Sequence, residues 1–376
     1  MYNISFKAYK TKKLKHLHRS ISTSAWIWNH CISLQKRYYS LYGGYINVNK
    51  LQKHIAKLRN KNPQWKELNS QSVQEICQRV DEAYRRFFKG LAKRPPRFKK
   101  ARNFNSFVLK QSGWKIENNV LTIQKRRYKF SKSRDYENIK RITVKRNKLG
   151  EFFFVLCCDL KPIKYERVGN STIGMDFGLK TYLTLSNGQE IQSPQFFKQH
   201  LNDIKKANKN FSTKKKGSKN KKKALKVLQR VHNDISNRRS DFHWKLAHEL
   251  CKHNSFIAIE DLNIEAMKRL WGGKVSDLSF SSFVEKLKQV AVKYNTVVHE
   301  IDRWFPSSKT CTCGVINKEL KLSDREWACT SCGEVHQRDI LAANNILRQG
   351  IVEYKSKCKS GDSSAICVDG EESHLF

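Results

Sequence analysis

The sequence predicts a multidomain α/β protein. Residues 14–91 show helical periodicity, residues 104–160 break into short β-rich runs, and residues from about 170 alternate apolar strands with long helices. At 376 residues the chain has room for two or three domains.

Residues 2–10 alternate well enough for a strand. Over 14–42 the pattern turns helical, with Ile21, Trp26, Trp28, Ile32 and Leu34 set among basic residues. A second helical stretch covers 49–58. A third covers 72–91, with Val73, Ile76, Val80, Tyr84, Phe87 and Phe88 at helical spacing. This small helical subdomain ends at Pro95-Pro96, a sharp break. The runs FNSFVLK, NNVLTIQ, IKRITVKR and EFFFVLCCDL, parted by Asn, Gly and charged turns, predict a small β-barrel or sandwich. The first strand can join its sheet, with the helices inserted between. An apolar strand then leads through STIGMDFG to TYLTLSNGQEIQ, where Asn187-Gly188 marks a hairpin. Long helices follow over 193–253, and residues 205–223 hold ten lysines and no acid. SFIAIEDL and TVVHEIDRW read as strands, and DILAANNILRQ as a helix. The end of the chain is polar and mixed, the composition of a disordered tail.

The formal net charge is +41, from 74 Lys and Arg against 33 Asp and Glu. Such a surplus repels itself in a compact state unless an anion neutralises it. Nucleic acid is the usual neutraliser, because Lys and Arg displace counterions from phosphates. No run of about 18 apolar residues predicts a membrane span, and the N-terminal residues lack the apolar stretch of a signal peptide. Eleven cysteines, an odd and mostly scattered set, argue against a secreted disulfide framework.

Four of them cluster. Cys329 and Cys332 form C-x-x-C before Gly333. Cys311 and Cys313 form a shorter C-x-C before Gly314. Four thiolates satisfy tetrahedral Zn²⁺, and a closed four-cysteine site is structural. A redox pair is the alternative. With four cysteines present, His336 has no required role. Three acids also stand out. Asp176 and Glu260 end apolar strands, and Asp339 begins a helix. A strand-end carboxylate is costly to bury unless something pairs with it, and three could converge on Mg²⁺. Two such ions about 3.5–4 Å apart can activate water and stabilise a leaving oxygen. Taken singly, Asp339 also reads as a helix cap, and Asp176 as a turn residue beside Gly178. Asp261 should point away from Glu260 in a strand and reads as structural.

The stretches VDEAYRRFF with PPRFKK, IGMDFG, NRRSDFHWKLAHEL, AIEDLNIEAM, FPSSKTC, DREWACTSCG and HQRDILAANNIL occur in one order over roughly residues 5–350. In this the chain resembles the TnpB family, transposon-encoded RNA-guided endonucleases related to compact type V CRISPR effectors. The resemblance implies an RNase H-like RuvC nuclease domain (169–306 and 336–350). It also implies an N-terminal wedge β-barrel (1–12 and 95–168) with an inserted helical recognition lobe (13–94). A zinc-ribbon insert that binds target nucleic acid (307–335) and a disordered tail (351–376) complete the expected layout. Asp176, Glu260 and Asp339 would be the catalytic Mg²⁺ ligands, and Cys311, Cys313, Cys329 and Cys332 would hold Zn²⁺. The implied partners are a guide RNA and target double-stranded DNA. No membrane is implied, and the location would be cytoplasmic and nucleoid-associated. The family often has H-D-R-D where this chain has His336-Gln337-Arg338-Asp339, and the acid carried over is the second. Inactivated relatives tend to lose RuvC acids, and none is lost here.

Candidate nucleic-acid contacts are Gln74, which matches a family position facing the target-adjacent motif, Lys214, Lys215 and Lys216, and Arg238 and Arg239. The lysines also read as a solvated loop, and the arginines as partners of Asp241. Trp114, Trp26 and Trp28 could stack on bases or pack in a core. A guided DNA-binding repressor or RNA-binding accessory protein without nuclease activity is the alternative function. A tyrosine-type transposase would need His-x-His with a nucleophilic Tyr, and no such set is read here.

Overall fold

The computed structural model describes residues 2–159, 163–321 and 323–359. They fall into two units, Met1–Lys161 and Pro162–Phe376. Among the described residues no helix is long and apolar enough to cross a membrane.

The first unit opens with β1 (Tyr2–Lys7), then α1 (Leu14–Tyr42), α2 (Val48–Lys61), α3 (Pro63–Lys66) and α4 (Ser70–Phe88). The strands β2 (Ser106–Leu109), β3 (Trp114–Glu117), β4 (Val120–Ile123), β5 (Arg126–Lys129), β6 (Glu137–Arg146) and β7 (Phe152–Asp159) follow. α1 buries Leu14, Leu17, Ile21, Ala25, Trp28 and Ile32, a stripe at three- and four-residue steps. It stops at Gly43, whose φ of 63° lets its N–H reach back to the Tyr39 carbonyl. The strands form an antiparallel sheet in the order β1-β7-β6-β2 and a meander β3-β4-β5, joined by a bridge between Ala8 and Phe130. Alternation puts Phe152, Phe154 and Leu156 of β7 inward. They share one core with α1 and α4.

In the second unit, β8 (Ser171–Phe177), β9 (Thr181–Leu185) and β10 (Glu190–Gln192) form an antiparallel meander, with the predicted hairpin turn at Gly188, φ 83°. Helices α5 (Phe196–Gln199), α6 (Leu201–Ser212) and α7 (Lys219–His253) lead to β11 (Asn254–Glu260). Then α8 (Ile264–Leu278) and α9 (Phe280–Tyr294) lead to β12 (Val297–Ile301). The small hairpin β13 (Glu326–Ala328) and β14 (Val335–Gln337) runs directly into α10 (Arg338–Lys359). The sheet order is β10-β9-β8-β11-β12, with β11 parallel to both β8 and β12. Helices cover both faces, which is why β11 is buried along nearly its whole length. Ile257 and Ile259 pack with Phe283 and Leu287 of α9. Phe256 and Ala258, on the other face, pack with Ile346 of α10.

α10 lies against the strands at two glycines. A Cβ on Gly174 would sit 2.1 Å from the Ala343 carbonyl oxygen, and one on Gly350 would sit 2.7 Å from the Ala258 Cβ. The helix runs past the expected boundary at 350. Residues 351–359 are helical, a correction to the predicted tail. His299 and Glu353 hold this extension with a 3.0 Å contact, and Tyr354 packs on the Phe256 ring. Residues 360–376 of that expectation lie outside the described residues.

Gly174→Ala should force α10 off the sheet, because the obstacle is backbone. The expected cost is about 2 kcal/mol, read as a lower urea midpoint. Gly272→Ala, in α8 with open space around it, is the control and should not lower the midpoint. An unchanged midpoint for Gly174→Ala would contradict the close packing.

Candidate functional site

Strand register and α10 place the three acids on one side of the second unit's sheet, although their carboxylate oxygens do not all come within 4.8 Å of one another. Side chains two apart in a strand share a face. Asp176 therefore shares the face of Gly174, and Glu260 the face of Ala258, and both of those positions touch α10. The parallel ladder pairs Met175 with Ile259, so the next residues, Asp176 and Glu260, lie side by side near the ends of adjacent strands. Asp339 lies in the first turn of α10, four residues before the contact at Ala343.

Burial pushes the Asp176 carboxyl up to about 7, and the charges of Glu260 and Asp339 add to the rise. Arg338 and the Phe177 backbone N–H pull the other way. Glu260 is pushed up to about 7 by burial and by the charge of Asp261. No salt bridge reaches Asp176 or Glu260 among the described residues. Two half-buried carboxylates with no salt bridge, and a third close enough to repel one of them, offer the hard oxygen donors that a divalent cation prefers.

The neighbouring charges are already matched. Asp261 pairs with Arg303, its Oδ2 3.0 Å from the guanidinium Nε, as its structural reading required. Arg325 donates to both oxygens of Asp339, at 2.8 and 3.1 Å. Sequence reasoning missed Arg325, because pairing across 14 residues and a hairpin leaves no periodic trace.

The four cysteines gather as predicted, C-x-C included. All four sulfurs lie within 4.8 Å of one another. Cys311 Sγ is 3.5 Å from Cys332 Sγ, and Cys313 Sγ is 3.7 Å from Cys329 Sγ. Tetrahedral Zn²⁺ with bonds of about 2.3 Å requires sulfur separations of about 3.8 Å, so the cluster fits zinc. Both loops turn at glycine, Gly314 at φ 88° and Gly333 at φ 73°. Burial raises the Cys311 thiol, but hydrogen bonds from the Cys313 backbone, His336 and Thr312 outweigh it and hold it near 5.

The predicted nucleic-acid contacts are scattered. Gln74 is exposed on α4, in the first unit, and Lys214–Lys216 form the turn between α6 and α7. Arg238 pairs with Asp234 at 2.9 Å. Arg239 donates to Ser279 Oγ at 2.8 Å and pairs with Asp277 at 3.2 Å, tying α7 to the junction of α8 and α9. An ion-pair role thus describes both arginines, but with these partners, since Asp241 pairs with Lys245. Trp28 is buried, with Nε1 donating to the Arg97 carbonyl, whereas Trp26 is 47% exposed. Trp114 is partly buried, and its Nε1 donates to the Lys110 carbonyl.

Asp176 and Glu260 predict an unusual pH dependence. Their folded pKa values exceed the unfolded ones, so the stability they contribute is full below about 4 and is lost as pH rises through about 7. For Asp176 alone the loss is on the order of 4 kcal/mol. Asp176→Asn should raise the melting temperature of the metal-free protein at pH 8, with the gain shrinking towards pH 4. A variant less stable than the parent at pH 8 would contradict this electrostatic account.

A family model described as "Probable transposase" matches residues 155–270, and one described as "Cas12f1-like, TNB domain" matches residues 280–346. The chain is 33% identical over 306 residues to a Streptomyces pristinaespiralis protein named "Putative RNA-guided DNA endonuclease", covering 78% of this chain and 74% of that one. It is 33% identical over 205 residues to TnpB-like protein L79 of Acanthamoeba polyphaga mimivirus, covering 50% of this chain and 39% of the relative. The fold is similar to that of a solved Cas12f1–sgRNA–target DNA complex, with a TM-score of 0.56, 16% identity, and 89% of this chain and 83% of the other covered. A 33% identity sustained over three quarters of the Streptomyces relative establishes the kinship: the chain belongs to the TnpB family of RNA-guided DNA endonucleases.

Proposed function

We propose that this protein is an RNA-guided DNA endonuclease that hydrolyses phosphodiester bonds at Asp176, Glu260 and Asp339 with Mg²⁺. The observation that carries the reading is electrostatic: Asp176 and Glu260 are half-buried without a salt bridge, and Glu260 and Asp339 both raise the Asp176 carboxyl. Kinship with the named RNA-guided endonuclease supports it. So does the strand order, a three-stranded antiparallel meander followed by two parallel strands, which suits an RNase H-like RuvC domain.

In this reading Asp176, Glu260 and Asp339 would be the residues that hold Mg²⁺. When bound, the metal supplies an activated water and charge for the leaving oxygen. The chain's own part is positional. β8 and β11 present two acids in register, and α10 delivers the third. Arg325 orients Asp339, and Arg338 contributes positive charge beside Asp176. The four cysteines hold structural Zn²⁺. The first unit serves as the wedge and recognition lobe, with Gln74 facing the target-adjacent duplex and able to read adenine. The lysines of the α6–α7 turn line a path for guide RNA or displaced strand, where base pairing reads the sequence and the protein grips the backbone. Such a protein works in the cytoplasm, at the nucleoid.

A tyrosine transposase finds no support. A His-x-His does occur, at His16-Leu17-His18. His16 is buried with its Nδ1 3.1 Å from the Tyr128 hydroxyl, and Tyr128 is 2% exposed, so that pair is core and not a nucleophile. A guided repressor would not need three acids kept at such a cost.

Asp176→Ala, Glu260→Ala and Asp339→Ala should each abolish cleavage of a matched plasmid with guide RNA and Mg²⁺, and leave RNA binding intact. EDTA should do the same to the parent. Full cleavage by all three variants would sink the assignment, and binding without cutting by the parent would favour the repressor.

A further inference from the structure

We propose that His336 couples the cysteine cluster to the carboxylate site, by donating its Nε2–H to the Cys311 thiolate while β14 carries its position on to Asp339. The coupling rests on the carboxylate reading above.

His336 Nε2 is 3.0 Å from Cys311 Sγ, and the residue is 5% exposed. Its ring packs on Trp327 at 5.0 Å between centroids, and the two residues face each other across the β13–β14 pair. Glu334 Oε2 lies 3.8 Å from the same nitrogen and also takes a hydrogen bond from the Thr312 hydroxyl, next to Cys311. The imidazole is therefore fixed by packing and aimed at one sulfur. Four sulfurs already complete a tetrahedron, so the nitrogen's place is behind a ligand. A donor there stabilises a thiolate and orients it.

The link to the acids is short and covalent. Asp339 follows His336 by three residues, with no loop between β14 and α10. The partner strand adds a second tie. Arg325 precedes β13, which leads directly to Cys329, and Arg325 grips Asp339. The Arg338 backbone N–H donates to the Arg325 carbonyl at 2.8 Å, closing the two strands together. Asp339 is thus held from both sides by strands whose other ends reach the cluster. Losing zinc frees Cys311 and Cys329, and both holds slacken.

The test uses the full chain without nucleic acid, with Mn²⁺ as the probe of the carboxylate site. Zinc affinity is read by competition with a chromophoric chelator, and Mn²⁺ affinity by the paramagnetic signal of the free ion. His336→Phe keeps the ring packing but cannot donate. It should bind zinc about 10- to 100-fold more weakly and bind Mn²⁺ several-fold more weakly. His336→Gln, which can donate, should recover most of both. Stripping zinc from the parent needs no variant and should weaken Mn²⁺ to a similar degree. Unchanged zinc affinity in His336→Phe, or Mn²⁺ affinity indifferent to zinc, would overturn the coupling. Asp176→Ala separates the two readings. Equal Mn²⁺ binding in that variant and the parent would overturn the carboxylate site itself. Binding lost in Asp176→Ala yet indifferent to zinc would overturn the coupling alone.

Discussion

The close packing of α10 on the sheet is the constraint on which the second unit depends. Gly174 allows it, because the Ala343 carbonyl occupies the space a side chain would fill. Gly350 repeats the arrangement over Ala258. Two residues beyond Gly174 lies Asp176, and two beyond Ala258 lies Glu260. The strand period that turns the glycine and the alanine towards the helix therefore turns both acids to the same side. A bulkier residue at either contact would move Asp339 as well as the core.

Holding those acids together runs against stability. The carboxylates are partly buried, and Glu260 and Asp339 repel the charge of Asp176. The fold tolerates this because the apolar strands around them, Ile173 to Met175 and Phe256 to Ile259, are buried between helices on both faces. Of the neighbouring charges, Arg338 offsets Asp176 only in part, and Arg303 is engaged by Asp261. What remains is a deficit of positive charge inside a chain of net charge +41. That local inversion of the global field suits a cation bridging protein and phosphate.

The cysteine hairpin is the other fixed point. It is small, and its apolar cluster is only Cys311, Leu320, Trp327, Cys329 and Leu341 among the described residues. So little burial cannot order a long insert, and a metal is the usual remedy in modules of that size. Its position directly before α10 means that whatever orders the cluster also bears on the first turn of that helix.

Much of this was legible in the sequence. Helix α1 begins at Leu14 and ends at Tyr42, as its periodicity indicated, and the Asn187-Gly188 turn sits where its chemistry placed it. The candidate acids and cysteines were nameable because strand-end carboxylates and paired thiols are local patterns. Other features depended on residues far apart in the chain. The run of α10 to Lys359 needs His299 and Phe256 beneath it. Arg239 needs Asp277, and Arg325 needs Asp339. A count of ligands gives His336 no role, and only its distance from Cys311 does. Residue type and neighbour spacing are enough to mark which groups can carry charge or bind metal. The tertiary structure decided which of them lack a partner, since pairing depends on packing and register between elements that the chain brings together only when folded.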